Sequence, residues 1–74
     1  MRKTNAAQIK RKLGENIKKA RLSKCLTIEK LAYENDLAKG NLSEIEKGII
    51  DPQLSTLIRI AEGLDVSLKD LLDF

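Results

Sequence analysis

Between Thr27 and Gly48 the apolar residues fall into two short groups at helical spacing, Ile28, Leu31 and Ala32 and then Leu42 and Ile45, divided by Asn35-Asp36. Thr27 is a helix-capping residue type, and Lys30 stands where a full capping box would have Glu or Gln, so the start signal is partial. The first of the two helices is predicted to end near Asn35. Asn and Asp tolerate left-handed backbone better than other residues with a β-carbon, which makes Asn35-Asp36 a turn. Gly48 then stops the second helix where a left-handed residue is wanted, and Asp51-Pro52 marks a loop. Two short helices joined by a tight turn are the minimal statement of a helix-turn-helix.

The flanking sequence extends the same pattern. Upstream, Ile9, Leu13, Ile17 and Ala20 recur at helical intervals, with Asn5 or Thr4 as cap and Gln8 in capping-box spacing from Asn5, predicting a helix to about Lys24. Downstream, Leu54, Leu57, Ile58, Ala61 and Leu64 predict a helix starting near Ser55 or just before it, with Gly63 near its end. Val66-Ser67 leads into a last short helix holding Leu68, Leu71 and Leu72. No strand alternation or repeat interrupts this series. With no Trp and only Tyr33 and Phe74 as aromatics, the core must be built from Leu, Ile, Val and Ala, which suits packed helices. The expected fold is all-α, with five helices in one domain over residues 9–74 and a basic arm or helix extension over residues 1–8.

Composition removes several classes of function. The single cysteine cannot form an internal disulfide and there is no histidine, so a disulfide scaffold and a Cys/His zinc site are both unavailable. Cys25 is expected to be an inert, half-buried residue. No apolar run is long enough to span a membrane and the basic start lacks the apolar stretch of a signal peptide, giving a cytoplasmic expectation. Without His, a glycine-rich phosphate loop or a carboxylate pair, no base and nucleophile can be assigned, so an enzyme is not expected, nor a cofactor or metal.

Charge is distributed unevenly. From Met1 to Lys24 nine Lys or Arg stand against Glu15 alone, whereas from Cys25 onward five basic residues meet ten acidic ones. A polyanion would be drawn to one part of the surface and turned away from another, which favours a defined docking face. The third helix has a layout to match. On a helical wheel Leu42, Ile45 and part of Glu46 lie inward, while Lys39, Gly40, Ser43, Glu44 and Lys47 lie opposite, with Asn41 at the edge. A face of small and polar side chains fits the major groove of B-DNA, which admits an α-helix and displays a distinct donor and acceptor pattern for each base pair.

The residues in these positions carry a resemblance. Thr27-Ile28-Glu29-Lys30-Leu31-Ala32, Leu37-Ala38-Lys39, Leu42-Ser43-Glu44-Ile45-Glu46-Lys47-Gly48 and Pro52 resemble the Xre/Cro/cI-type helix-turn-helix family of phage and bacterial repressors, the lambda-repressor-like fold. Leu13-Gly14, Ile17 and Arg21 upstream and Ile60-Ala61, Leu64 and Val66 downstream extend the match to the whole domain. The resemblance implies that Lys39, Gly40, Asn41 and Glu44 face base edges, and that Ser43, Lys47 and the first turn of the second helix, including Thr27 and Ile28, meet phosphate. It also implies a buried ion pair between Arg21 and Glu46 that positions the reading helix. By side-chain chemistry Asn41 suits adenine, Lys39 either guanine or phosphate, and Glu44 either a cytosine amino group or an ion pair with Lys39 or Lys47.

Four positions depart from the family pattern, Asn35 among them in place of a commonly apolar or small residue. Ile28 replaces a common phosphate-binding glutamine, leaving Lys24 or Lys30 to substitute; Asp36 replaces the turn glycine; Ala38 replaces the Ser or Thr cap of the third helix. The family commonly binds as a two-fold dimer, and Ile58, Leu68, Leu72 and Phe74 are the expected homodimer contacts. Ile49 and Ile50 form a further apolar pair, either packed under the loop or open to a partner. The expected function is a transcriptional regulator, a repressor or autoregulated controller, that binds a palindromic operator in double-stranded DNA without a small-molecule ligand. The alternative is a protein-interaction module or antitoxin-like partner on the same fold.

Overall fold

A computed structural model describes residues 5–74. The expected arm therefore divides: residues 1–4, with Arg2 and Lys3, lie outside the described residues, and Ala6 to Gln8 are the opening turn of the first helix. The helices are α1 (Ala6–Ser23), α2 (Ile28–Glu34), α3 (Lys39–Glu46), α4 (Leu54–Leu64) and α5 (Leu68–Leu71). Among the described residues none is in a strand.

Three helix starts are closed by side-chain caps: Asn5 accepts from the Gln8 amide, Thr27 from the Lys30 amide, and Ser67 from the Asp70 amide. At Ser67 the cap is reciprocal, because the Asp70 carboxylate accepts from the Ser67 amide in turn. Ala38 and Gln53 make no such bond, so α3 and α4 are held by packing more than by their ends.

Four helices end in one manner. Cys25, Asp36, Gly48 and Asp65 have φ of 57°, 56°, 75° and 56°. In each case the following apolar residue sends its amide back five positions: Leu26 to Arg21, Leu37 to Ala32, Ile49 to Glu44 and Val66 to Ala61. These are Schellman terminations, which satisfy carbonyls that the helix leaves open. At the α2–α3 turn only Asp36 is left-handed; Asn35 keeps φ −118° and caps the Leu31 carbonyl with its side chain at 2.8 Å.

The end of α4 falls beside Gly63, as the sequence predicts. Gly63 lies inside the helix, and Asp65 is the left-handed residue that ends it. A β-carbon at 63 would run into the Asn35 amide group, with Cγ only 2.5 Å away, so Asn35 would have to shift from its bond to the Leu31 carbonyl. The ends of α2 and α4 thus meet across a side chain that leaves no room. Gly14 plays the same part between α1 and α3: a β-carbon would lie 2.6 Å from the Ile45 carbonyl oxygen and closer still to that of Glu46.

The core is aliphatic. Leu13 and Ile17 from α1, Leu31 and Ala32 from α2, Leu42 and Ile45 from α3, Leu57, Ile60, Ala61 and Leu64 from α4, and Leu71 from α5 are all buried. Every helix contributes, and α3 is held from behind by α1 and α2. The Asn16 side chain donates to the carbonyls of Leu71 (3.0 Å) and Asp73 (3.2 Å), tying the C-terminal turn onto α1.

Candidate nucleic-acid interface

The outward face of α3 is built by what its inward face does. Leu42 and Ile45 are sealed in the core, and Glu46, one position on, is buried with them. A buried carboxylate needs a partner, because an uncompensated charge in the interior is costly. Arg21 of α1 supplies it with a two-pronged contact, Nε donating to Oε2 at 2.7 Å and Nη2 to Oε1 at 3.1 Å. The remaining Nη1 donates to the Leu26 carbonyl at 2.8 Å, and no buried side-chain polar atom among the described residues lacks a partner. Two parallel bonds in one plane fix orientation as well as distance. With Gly14 admitting the Ile45 and Glu46 carbonyls against α1, this sets both the separation and the roll of α3.

Lys39, Gly40, Asn41, Glu44 and Lys47 are exposed as a result, with open space around Gly40. Ser43 is half-buried on the flank nearest α2, where Lys18, Ile28, Ser43 and Lys47 surround a cleft of about 130 Å³ floored by Arg21 and Glu46. Two lysines, a serine and the opening residue of α2 thus line one small concavity beside the exposed face. Ile28 itself is half-buried and packs partly on the core. Lys24, Thr27 and Lys30 are exposed around the start of α2.

Lys39 is not free. Its Nζ lies 2.9 Å from Glu29 Oε2, a pair that crosses from α2 to α3. The hydrogen bond from Lys39, the Glu29 backbone amide and the lysine's charge together hold the Glu29 carboxyl below its usual range. The sequence offers Glu44 as a partner for Lys39, and in the structure Lys39 pairs with Glu29. The two lie ten residues apart across a turn, so no spacing rule on a single helix would join them.

The apolar surface lies elsewhere. Ile58, Leu72 and Phe74 are exposed, whereas Leu68 is half-buried against the core, so this group of four expected interface residues divides into three that face outward and one that also closes the domain. Ile49 and Ile50 part company too: Ile49 is exposed and Ile50 packs inward. Cys25 is exposed, contrary to the half-buried expectation, because the left-handed backbone that ends α1 turns its side chain out. No helix among the described residues is long and apolar enough to cross a membrane.

Comparison with known proteins gives one consistent result. A family model described as a helix-turn-helix domain matches residues 14–73. The chain is 42% identical over 62 residues to control protein C.BamHI of Bacillus amyloliquefaciens, covering 82% of this chain and 76% of that protein. It is 36% identical over 62 residues to the HTH-type transcriptional regulator SinR of Bacillus subtilis (strain 168), covering 82% of this chain but only 56% of SinR. Among solved structures, the restriction-modification controller protein C.AhdI of Aeromonas hydrophila superimposes with a TM-score of 0.82 at 26% identity, over 84% of this chain and 94% of that one.

Proposed function

The chain belongs to the helix-turn-helix family of DNA-binding transcriptional regulators, and on that premise we propose that two copies bind a palindromic operator, each laying α3 in the major groove. The observation that carries this is the mounting of α3: a buried two-pronged ion pair and a fully apolar inner face hold a helix whose outer face is small, polar and exposed. Its eight residues span about 12 Å, comparable to the width of the groove.

In this arrangement Lys39, Asn41 and Glu44 address base edges and Gly40 permits close approach. Lys24, Thr27, Lys30, Ser43 and Lys47, with the backbone amide of Ile28, hold phosphates on either side, and Lys18, Ser43 and Lys47 line a cleft beside the reading face. Dimerisation through Ile58, Leu72 and Phe74, with Leu68 beneath them, covers apolar surface that otherwise meets water. Named controllers among its relatives support a cytoplasmic controller of transcription, and no enzymatic step is assigned to it.

Selection of bound duplexes from a random DNA pool tests this reading. The expected product is a symmetric site whose half-sites are about one helical turn apart, near 34 Å, or a multiple of that. A single unsymmetric site would refute the dimer. Recovery of no preferred sequence would refute DNA reading altogether and leave exposed Ile49 and Ile58 as the working surface for a protein partner.

A further inference from the structure

We infer that Glu29 is a specificity-determining residue: its carboxylate holds Lys39 toward the base edge and withholds that lysine from phosphate. The inference deepens, and rests on, the reading of α3 as the DNA-reading helix.

Lys39 opens α3 on the flank that faces α2, and its ammonium lies 2.9 Å from the Glu29 carboxylate. Both side chains are about two-thirds exposed, at 63% and 64%, so the pair stands at the surface that would meet DNA. The other ion pairs among the described residues are Lys10 with Asp51 and Arg21 with Glu46. Of the lysines around the reading face, Lys39 alone is held by a carboxylate, while Lys24, Lys30 and Lys47 are exposed without one.

This difference changes what each lysine can bind. A free ammonium on a flexible four-carbon stem is a point charge that any phosphate along the backbone can satisfy. Once paired, Lys39 and Glu29 have no net charge together, and a phosphate approaching the ammonium also approaches a carboxylate within a few ångströms. A guanine edge carries no formal charge and suffers little of that repulsion. The two ammonium protons not engaged with Glu29 remain available to its O6 and N7 acceptors. Glu29 therefore lowers the attraction of Lys39 for phosphate far more than its attraction for a base, and it fixes the ammonium in position. The Lys39 hydrogen bond, first among its causes, lowers the Glu29 carboxyl from its usual value and so favours its charged form. An exposed pair of this kind adds little to fold stability, so its removal is separable from unfolding.

The test uses the full chain as wild type, Glu29→Gln, Lys39→Ala and the double variant, with fluorescence anisotropy against a selected operator and a random duplex at one salt concentration. Glu29→Gln is expected to bind the random duplex about fivefold tighter while binding the operator within about twofold of wild type. It should also lose preference at the one base pair read by Lys39, and have no effect in the Lys39→Ala background. Equal tightening on both duplexes would mean simple competition and would overturn the inference, as would no change on either. A wild type with no preferred sequence would overturn the DNA-reading assignment itself, and the role of Glu29 with it. Thermal unfolding of Glu29→Gln within about 2 °C of wild type is the accompanying check.

Discussion

Glu46→Ala removes one half of the Arg21–Glu46 contact and leaves a guanidinium at 7% exposure with two of its hydrogen bonds gone. Breaking a buried pair in this one-sided way costs about 3–5 kcal/mol, because the remaining charge has neither water nor a partner. A domain of 74 residues has roughly 4–11 kcal/mol of stability in total, so the variant loses a large share of it. At about 4–8 °C per kcal/mol the midpoint of thermal unfolding should fall by at least about 12 °C. Arg21→Met/Glu46→Leu replaces both partners with apolar groups of similar volume and should lie within about 1–2 kcal/mol of wild type, the Leu26 carbonyl being the one group left unbonded. Circular dichroism at 222 nm during urea and thermal unfolding measures both, with protein concentration held fixed because dimerisation would stabilise the fold by mass action. Glu46→Ala unfolding within about 1 kcal/mol of wild type would refute the claim that this pair mounts α3. So would a double variant as unstable as the sum of the two single losses.

Gly14→Ala should destabilise by about 1–3 kcal/mol in chemical denaturation, since its β-carbon collides with two α3 carbonyls, whereas Gly40→Ala meets nothing within 4 Å and should add up to about 1 kcal/mol. If Gly40 lies at the closest approach to DNA, that same Gly40→Ala protein should bind operator less tightly, an effect read by anisotropy and separate from stability. Gly48→Ala should lower the unfolding midpoint, because φ is +75° and the Arg11 Cα is 2.9 Å from the new carbon, while Asp36→Gly and Asp65→Gly should each raise stability by about 0.5–1 kcal/mol. Ile58→Lys/Leu72→Lys should sediment as a monomer at concentrations where wild type sediments as a dimer. Unchanged sedimentation of the pair would move the interface elsewhere.

Helix positions were legible wherever the signal was local. Asn5 and Thr27 as caps, Gly48 as a stop and the aliphatic spacing of all five helices can each be read within a turn or two of chain. What escaped were choices made by distant partners. The close packing of Gly63 against Asn35 has no local signal; Cys25 takes left-handed backbone with little propensity of its own, because the Schellman bond of Leu26 demands it, whereas Asp65 is a residue type that tolerates it. Asn16 gives no local sign that it will hold the carbonyls of Leu71 and Asp73. In the site itself the inward and outward faces of α3 follow from its wheel. The Glu29–Lys39 pair does not, because it depends on how α2 and α3 cross at the Asp36 turn.

The central claim is that α3 and its flanking lysines form a DNA-binding surface, and the salt dependence of operator binding tests it most directly. Lys24, Lys30 and Lys47 from each of two subunits would neutralise about six phosphates, predicting a slope of log K against log salt near −5. Lys47→Ala should make that slope shallower by about 2 in the dimer and weaken operator and random duplex alike. A wild-type slope near zero, or no binding to duplex DNA at low salt, would contradict the account.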